Sequence, residues 1–282
     1  MSPLNVLQVF GLLKMPIIGL GTWQINGKDL EISLEAALEA GYRSIDTATF
    51  YQNEDVIGRV VKRWIDAGKL KRDDLYIVTK LPPSLMRPED VEPCLRSSLE
   101  KLQVDYVDLY LVHVPFAFRN VSGQMVPITE KGRIDMDKST DHIAIWKMME
   151  KMVDKKMTKD IGLSNFNISQ IERVLSHARI PPVNLQVELH VFNQQNKLVN
   201  YCRKHNISVT SYSTFASPGC KGIAVIPKSK DPERVKSNFD IFDFVLDDDE
   251  MKELNDLDAD PPIRVLDMTM FPGIKEHPEY PW

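Results

Sequence analysis

Long hydrophobic runs are missing from these 282 residues, and none approaches the roughly 20 consecutive apolar positions of a spanning helix. Surplus positive charge is missing too. The 35 basic and 40 acidic side chains leave a formal net charge of −5, a poor basis for displacing counterions from a nucleic acid. Cysteine is scarce: Cys94, Cys202 and Cys220 are odd in number and scattered. They show no metal-ligand spacing and no disulfide framework, which implies a reducing compartment. The apolar start, Met1 to Leu13, lacks a basic n-region and a small-residue cleavage site, so it reads as structure and the expected address is the cytosol. Internal repeats and low-complexity stretches are also absent, while a hydrophobic content of 43% excludes a disordered chain.

What is present is alternation. Short β-branched runs predict strands at Ile17–Leu20, Ser44–Asp46, Leu75–Thr79, Tyr106–Val112, Asp160–Gly162, Val183–Glu188, Ile207–Tyr212 and Ile223–Ile226. Between them, amphipathic stretches predict helices at Leu30–Ala40, Glu54–Ala67, Pro88–Lys101, Asp141–Val153, Ser169–Ser176 and Gln194–His205, with another at Pro232–Phe239. A polar helix at Asp247–Leu257 and a Pro-rich tail follow. Strand and helix repeated this often give a parallel sheet with helical crossovers, here an α/β (β/α)8 barrel in one domain spanning 1–282. The tail helix and C-terminal loop occupy about 247 to 282. One step breaks the rhythm. Only nine residues separate Ser213 from Ile223, with Pro218, Gly219 and Gly222 among them, and a crossover with its helix takes at least about 10–12. The seventh barrel helix is therefore expected to be absent.

Two familiar oxidoreductase signals fail. Gly19-Leu20-Gly21 runs on into Thr22-Trp23-Gln24, without the third glycine or the helix of a dinucleotide fingerprint. Tyr76 and Lys80 have a Tyr-x-x-x-Lys spacing that brings side chains together on a helix, but on a strand their attachment points stand about 13 Å apart. A better constellation is Asp46, Lys80 and His113, at the ends of the second, third and fourth strands, with Tyr51 on the loop after the second. Strand ends of a parallel barrel converge on one mouth, where sites of this fold are built. Singly, each has a structural explanation: a loop hydrogen bond for Asp46, packing for Tyr51, solvation for Lys80, a buried core role for His113. Four at matching positions point to chemistry.

The run Gly41-Tyr42-Arg43-Ser44-Ile45-Asp46-Thr47-Ala48 followed by Tyr51 resembles the first signature of the aldo-keto reductases. Thr79-Lys80-Leu81, Leu111 to Pro115, Ile161 to Phe166 and Ile226-Pro227-Lys228-Ser229 are similar to the others, in the family's order, with most likeness to the aldose and aldehyde reductase branch. The resemblance implies reduction of small aldehydes or ketones to alcohols, with NADPH as cofactor and a monomeric chain. It assigns Tyr51 as general acid, Lys80 and Asp46 as its tuning pair, and His113 as the residue that orients substrate. A phenol ordinarily titrates near 10, so a neighbouring ammonium is expected to favour phenolate and lower that value.

The family's cofactor positions carry over as Thr22, Asp46, Ser164, Asn165 and Gln186, with Tyr212 as the ring that stacks on nicotinamide and Ser213, Phe215 and Ser217 on the loop behind it. Lys228, Ser229 and Arg234 match the pocket for an adenosine 2′-phosphate and Asn238 the adenine contact. Two cations and a hydroxyl suit a phosphate and favour NADPH over NADH. Trp23 and Phe50 are implied, with His113, to line the substrate mouth; packing is the commoner fate of such rings. Val114 and Leu81-Pro82-Pro83 replace aromatic positions of the family, the N-terminal hairpin lacks its usual polar turn, and the chain ends at Pro281-Trp282, a little short of the usual substrate loop. The shortened link before Ile223 also removes most of the loop that clasps the cofactor. It leaves two alternatives: a binding-only barrel with weak or no activity, or an unstable truncated isoform.

Overall fold

The computed structural model describes residues 15–214 and 223–282. Its main sheet has eight parallel strands in the order β1 (Leu20–Gly21), β2 (Ser44–Asp46), β3 (Tyr76–Leu81), β4 (Val107–Val112), β7 (Thr158–Ser164), β8 (Asn184–Glu188), β9 (Ser208–Tyr212) and β10 (Ile223–Val225). Ile18 bridges to Val225, Gly19 N donates to Val225 O at 2.8 Å and Val225 N to Ile17 O at 2.7 Å. Those bonds close the sheet on itself. The predicted first strand is thus divided: 17–19 bond to β10 and 20–21 to β2, a division that the apolar run alone does not reveal.

The helices α1 (Gly27–Ala40), α2 (Glu54–Asp66), α3 (Pro88–Leu102), α4 (His142–Asp154), α5 (Ile168–Leu175) and α6 (Asn196–Lys204) connect successive barrel strands. After β10 come α7 (Pro232–Phe239) and α8 (Asp248–Asn255), the second capped by Asp247, which accepts from Glu250 N while Glu250 reaches back to Asp247 N. The predicted loss of the seventh barrel helix falls on 215–222, outside the described residues, as do Phe215 and Ser217. None of the helices among the described residues is long and apolar enough to cross a membrane.

Burial on both faces explains why β3 and β4 read as continuous apolar runs. Alternate residues Tyr76 and Val78 of β3 and Leu109 and Leu111 of β4 pack together inside the barrel with Met15 and Ala224. Ile77, Tyr110 and Val112 instead join the larger core shared with the helices. Lys80 follows Tyr76 and Val78 in the inward alternation, so the Tyr76–Lys80 spacing is a strand spacing and pairs no chemistry.

One helix contact is close enough to forbid a methyl group. A Cβ on Gly58 of α2 would stand 2.2 Å from Lys101 O and 2.7 Å from Leu102 C, both backbone atoms of α3 or its end. Alanine gains about 1 kcal/mol of helix propensity over glycine, but overpacking costs about 1–3 kcal/mol or more. Gly58→Ala is therefore expected to lower the thermal midpoint by several degrees; an equal or higher midpoint would show that α2 and α3 can separate at little cost.

The long loop after β4 is more ordered than its sequence implies. It holds a two-stranded antiparallel pair, β5 (Ala117–Phe118) and β6 (Met136–Asp137). Phe116, Phe118 and Ile134 form a second small core with Phe271 and Ile274 of the C-terminal segment. That core carries the tail across the barrel mouth.

Candidate active site

The C-terminal ends of the strands deliver the polar residues to one place. Asp46 ends β2, Lys80 lies at the end of β3, and His113 follows β4 directly. Tyr51 closes a single 3-10 turn, Thr49–Tyr51, between β2 and α2. Lys80 is completely buried and Asp46 nearly so. Lys80 Nζ has three donors and finds three acceptors: Asp46 Oδ1 at 2.5 Å, Thr47 O at 2.9 Å and Tyr51 Oη at 3.3 Å. The His113 and Tyr51 ring centroids are 5.5 Å apart and nearly perpendicular, and Phe50 meets His113 edge-on at 6.1 Å.

The electrostatics correct one expectation. Tyr51 is pushed well above the ordinary phenol range, first by burial, then by the negative charge of Asp46 and by Tyr212. Desolvation of the phenolate outweighs the help of the neighbouring ammonium. Burial also lowers Lys80 against the attraction of Asp46. His113 falls well below the ordinary imidazole range, through burial first and then repulsion by Lys80. At neutral pH the site thus presents a protonated phenol beside a neutral imidazole.

A second polar cluster faces the first. Ser164 ends β7, Asn165 follows it with φ +64°, Gln186 sits on β8 and Tyr212 ends β9. Tyr212 Oη donates to Asn165 Oδ1 at 2.7 Å, which fixes the ring, and Asn165 Nδ2 donates to His113 O at 3.0 Å and Ser164 Oγ at 3.1 Å. Gln186 Nε2 donates to Asp46 Oδ2 at 2.7 Å, joining the two clusters. Between them lies a cavity of about 340 Å³. It is bordered by Thr22, Trp23, Asp46, Phe50, Tyr51, His113, Ser164, Asn165, Gln186, Tyr212, Ser213 and Lys228. The far wall is apolar, from Pro83, Val114, Leu266, Met268, Met270 and Phe271. The C-terminal segment supplies four of those six.

Lys228 borders the cavity, whereas Ser229, Arg234 and Asn238 do not; they lie beyond it, on the turn after β10 and on α7. Gly21 explains how that turn comes so near: a Cβ there would stand 2.6 Å from Ile226 O. The N-cap of α7 is Asp231, whose carboxylate accepts from Glu233 N and Arg234 N. Those backbone donors are taken, so an anion at this end depends on the side chains of Lys228, Ser229 and Arg234. Arg234 is exposed, with its Nε 4.0 Å from Asp231 Oδ2.

Asn53 braces the site from outside the cavity and has no clear sequence signal. It is buried at the start of α2, but its side chain does not cap that helix. It donates to Thr22 O at 2.9 Å and Ile25 O at 3.0 Å, and accepts from Thr47 Oγ1 at 2.7 Å. It thereby ties the turn carrying Trp23 to the residue whose carbonyl holds Lys80.

The family model for the Aldo/keto reductase family matches residues 17–222. Aldo-keto reductase family 1 member A1 of Gallus gallus is 36% identical, covering 95% of this chain and 94% of the relative. Its Homo sapiens counterpart is 35% identical, with 95% of each covered. Among solved structures, the aldose reductase of Schistosoma japonicum superposes with a TM-score of 0.90 at 34% identity over 99% of both chains. That of Giardia lamblia gives 0.83 at 31% over 90% of this chain and 95% of the other. With its closed barrel of eight parallel strands and this full-length likeness, the chain belongs to the aldo/keto reductase family of oxidoreductases.

Proposed function

We propose that the chain reduces small aldehydes or ketones with NADPH, Tyr51 supplying the proton. One observation carries the reading: the Asp46–Lys80–Tyr51 chain of contacts, with His113 beside it, borders the same cavity as Ser164, Asn165, Gln186 and Tyr212. The fit to a nicotinamide is chemical. Three adjacent side chains offer amide and hydroxyl groups for a carboxamide, and an aromatic ring is fixed at their edge by its own hydrogen bond. When bound, NADPH supplies the hydride.

The protein supplies the rest. Negative charge develops on the substrate oxygen, and Tyr51 Oη, already protonated, transfers its proton there. Lys80 Nζ, 3.3 Å away, stabilises the phenolate left behind, and Asp46 and Thr47 O keep that ammonium in place. The Nδ1 of His113 is buried and has no partner among the described residues. An orphan N–H costs more than an orphan lone pair, which puts the single proton of the neutral ring on Nε2. That N–H then serves as a second donor to the developing oxyanion. Trp23 and Phe50 flank the carbonyl compound, and the apolar tail residues exclude water. The assembled tetrad favours catalysis over a binding-only barrel.

The test is consumption of NADPH by the purified chain with an aromatic aldehyde. Turnover supports the reading; folded protein that binds NADPH without turning over would sink it. For the phosphate pocket, Arg234→Ala should weaken NADPH by about tenfold, the scale of one charge-assisted contact, and leave NADH nearly unchanged. Equal losses for both cofactors, measured by quenching of protein fluorescence, would remove Arg234 from that role.

A further inference from the structure

Beyond Gln186, β8 sends a second polar side chain toward the mouth, and the proposed chemistry does not use it. Asn184, Gln186 and Glu188 alternate along one face of the strand. Glu188 is 1% exposed, and its carboxylate is met by three donors. Val265 N reaches Oε1 at 2.6 Å, Leu266 N reaches Oε2 at 2.8 Å and His190 Nε2 lies 2.8 Å from Oε1. The main-chain carbonyl of Glu188 accepts from Gln195 Nε2 at 2.7 Å, and Gln195 Oε1 accepts from Arg264 at 3.3 Å.

Residues 264–266 are thus gripped by a polar hub. Apolar burial here is small: Val265 is 68% exposed and its neighbour Ile263 55%, while Arg264 lies over the Trp282 ring at 4.7 Å. Leu266, held by the hub, and Met268, two residues on, border the cavity that Tyr51 and His113 border as well. We infer that Glu188 is a positioning residue, pinning the C-terminal strap so that its apolar side chains fix the size of carbonyl compound the site accepts. The inference rests on the carbonyl-reductase reading.

The carboxylate is specific to this task. Burying it requires full hydrogen bonding, and it provides acceptors on both oxygens. A glutamine provides one acceptor and places an NH2 group against a backbone N–H, so one end of the pin becomes a repulsion.

Two variants test the pin from opposite sides. Glu188→Gln changes the barrel side. Val265→Pro removes a strap-side donor at an exposed position without touching the barrel, so it decides the question if the first variant fails to fold. In both, the expected result is faster amide hydrogen exchange at 264–271 with β9 amides unchanged. KM for a bulky aromatic aldehyde should rise about tenfold, the scale of a lost hydrogen bond to a charged group. KM for propanal, kcat for both aldehydes and NADPH affinity should stay close to those of the parent. Unchanged exchange and an unchanged KM ratio would overturn the proposal, as would an equal loss of kcat for both aldehydes. A parent chain that reduces neither aldehyde sinks the reductase reading alone, and the exchange measurement then decides the pin.

Discussion

Tyr51→Phe is expected to lower turnover by about 10²–10⁴-fold, the range for removing a positioned general acid, and to leave NADPH binding nearly unchanged. The phenyl ring keeps the edge contact with His113, whose centroid lies 5.5 Å away, and removes only the hydroxyl that accepts from Lys80. The pH profile carries the sharper statement. Tyr51 sits well above the ordinary phenol value and His113 well below the ordinary imidazole value. From the ordinary imidazole value of about 6.5 up to about pH 8 neither changes protonation, so the parent's kcat for aldehyde reduction should be level there. A bell centred near neutrality would mean that His113 titrates in turnover and is the proton donor. Substantial residual turnover in Tyr51→Phe would lead to the same conclusion.

The direction of that Tyr51 shift shows where sequence reasoning stops. Spacing and strand order were enough to bring Asp46, Lys80 and His113 to one rim, because each terminates an apolar run and parallel strands end together. Proximity of Lys80 to Tyr51 was also foreseeable. The sign of the shift was not, because it depends on how much water the fold removes, and burial outweighs the ammonium. Asn53 was hidden for a related reason. An asparagine before a helical run reads as a cap, yet this one turns inward to Thr22, Ile25 and Thr47. The Glu188 pin had no signature at all, because its partners are backbone N–H groups 77 and 78 positions away and nearly any residue supplies one. The β5–β6 pair escaped because two residues per strand are too few to show a period.

Lys80→Met should be the most damaging change to the fold and should also abolish catalysis. Methionine fills much of the same volume, so little is lost in packing. The damage is electrostatic. Asp46, 2% exposed, keeps only the Gln186 amide on Oδ2 and loses its countercharge at Oδ1. Breaking a buried pair from one side costs about 3–5 kcal/mol, and for a chain of this size each kcal/mol moves the thermal midpoint by about 2–4 °C. A fall of roughly 6–20 °C follows. Asp46→Asn added to Lys80→Met removes the stranded charge and keeps an acceptor for Gln186. The double variant should regain more than half of the lost midpoint and remain inactive, since nothing then stabilises the Tyr51 phenolate. Recovered stability without recovered turnover would assign the pair to chemistry, because a neutral pair holds the barrel nearly as well. A single variant as stable as the parent would mean that water reaches Asp46, and the buried ammonium could not then be the reason Tyr51 gives up its proton.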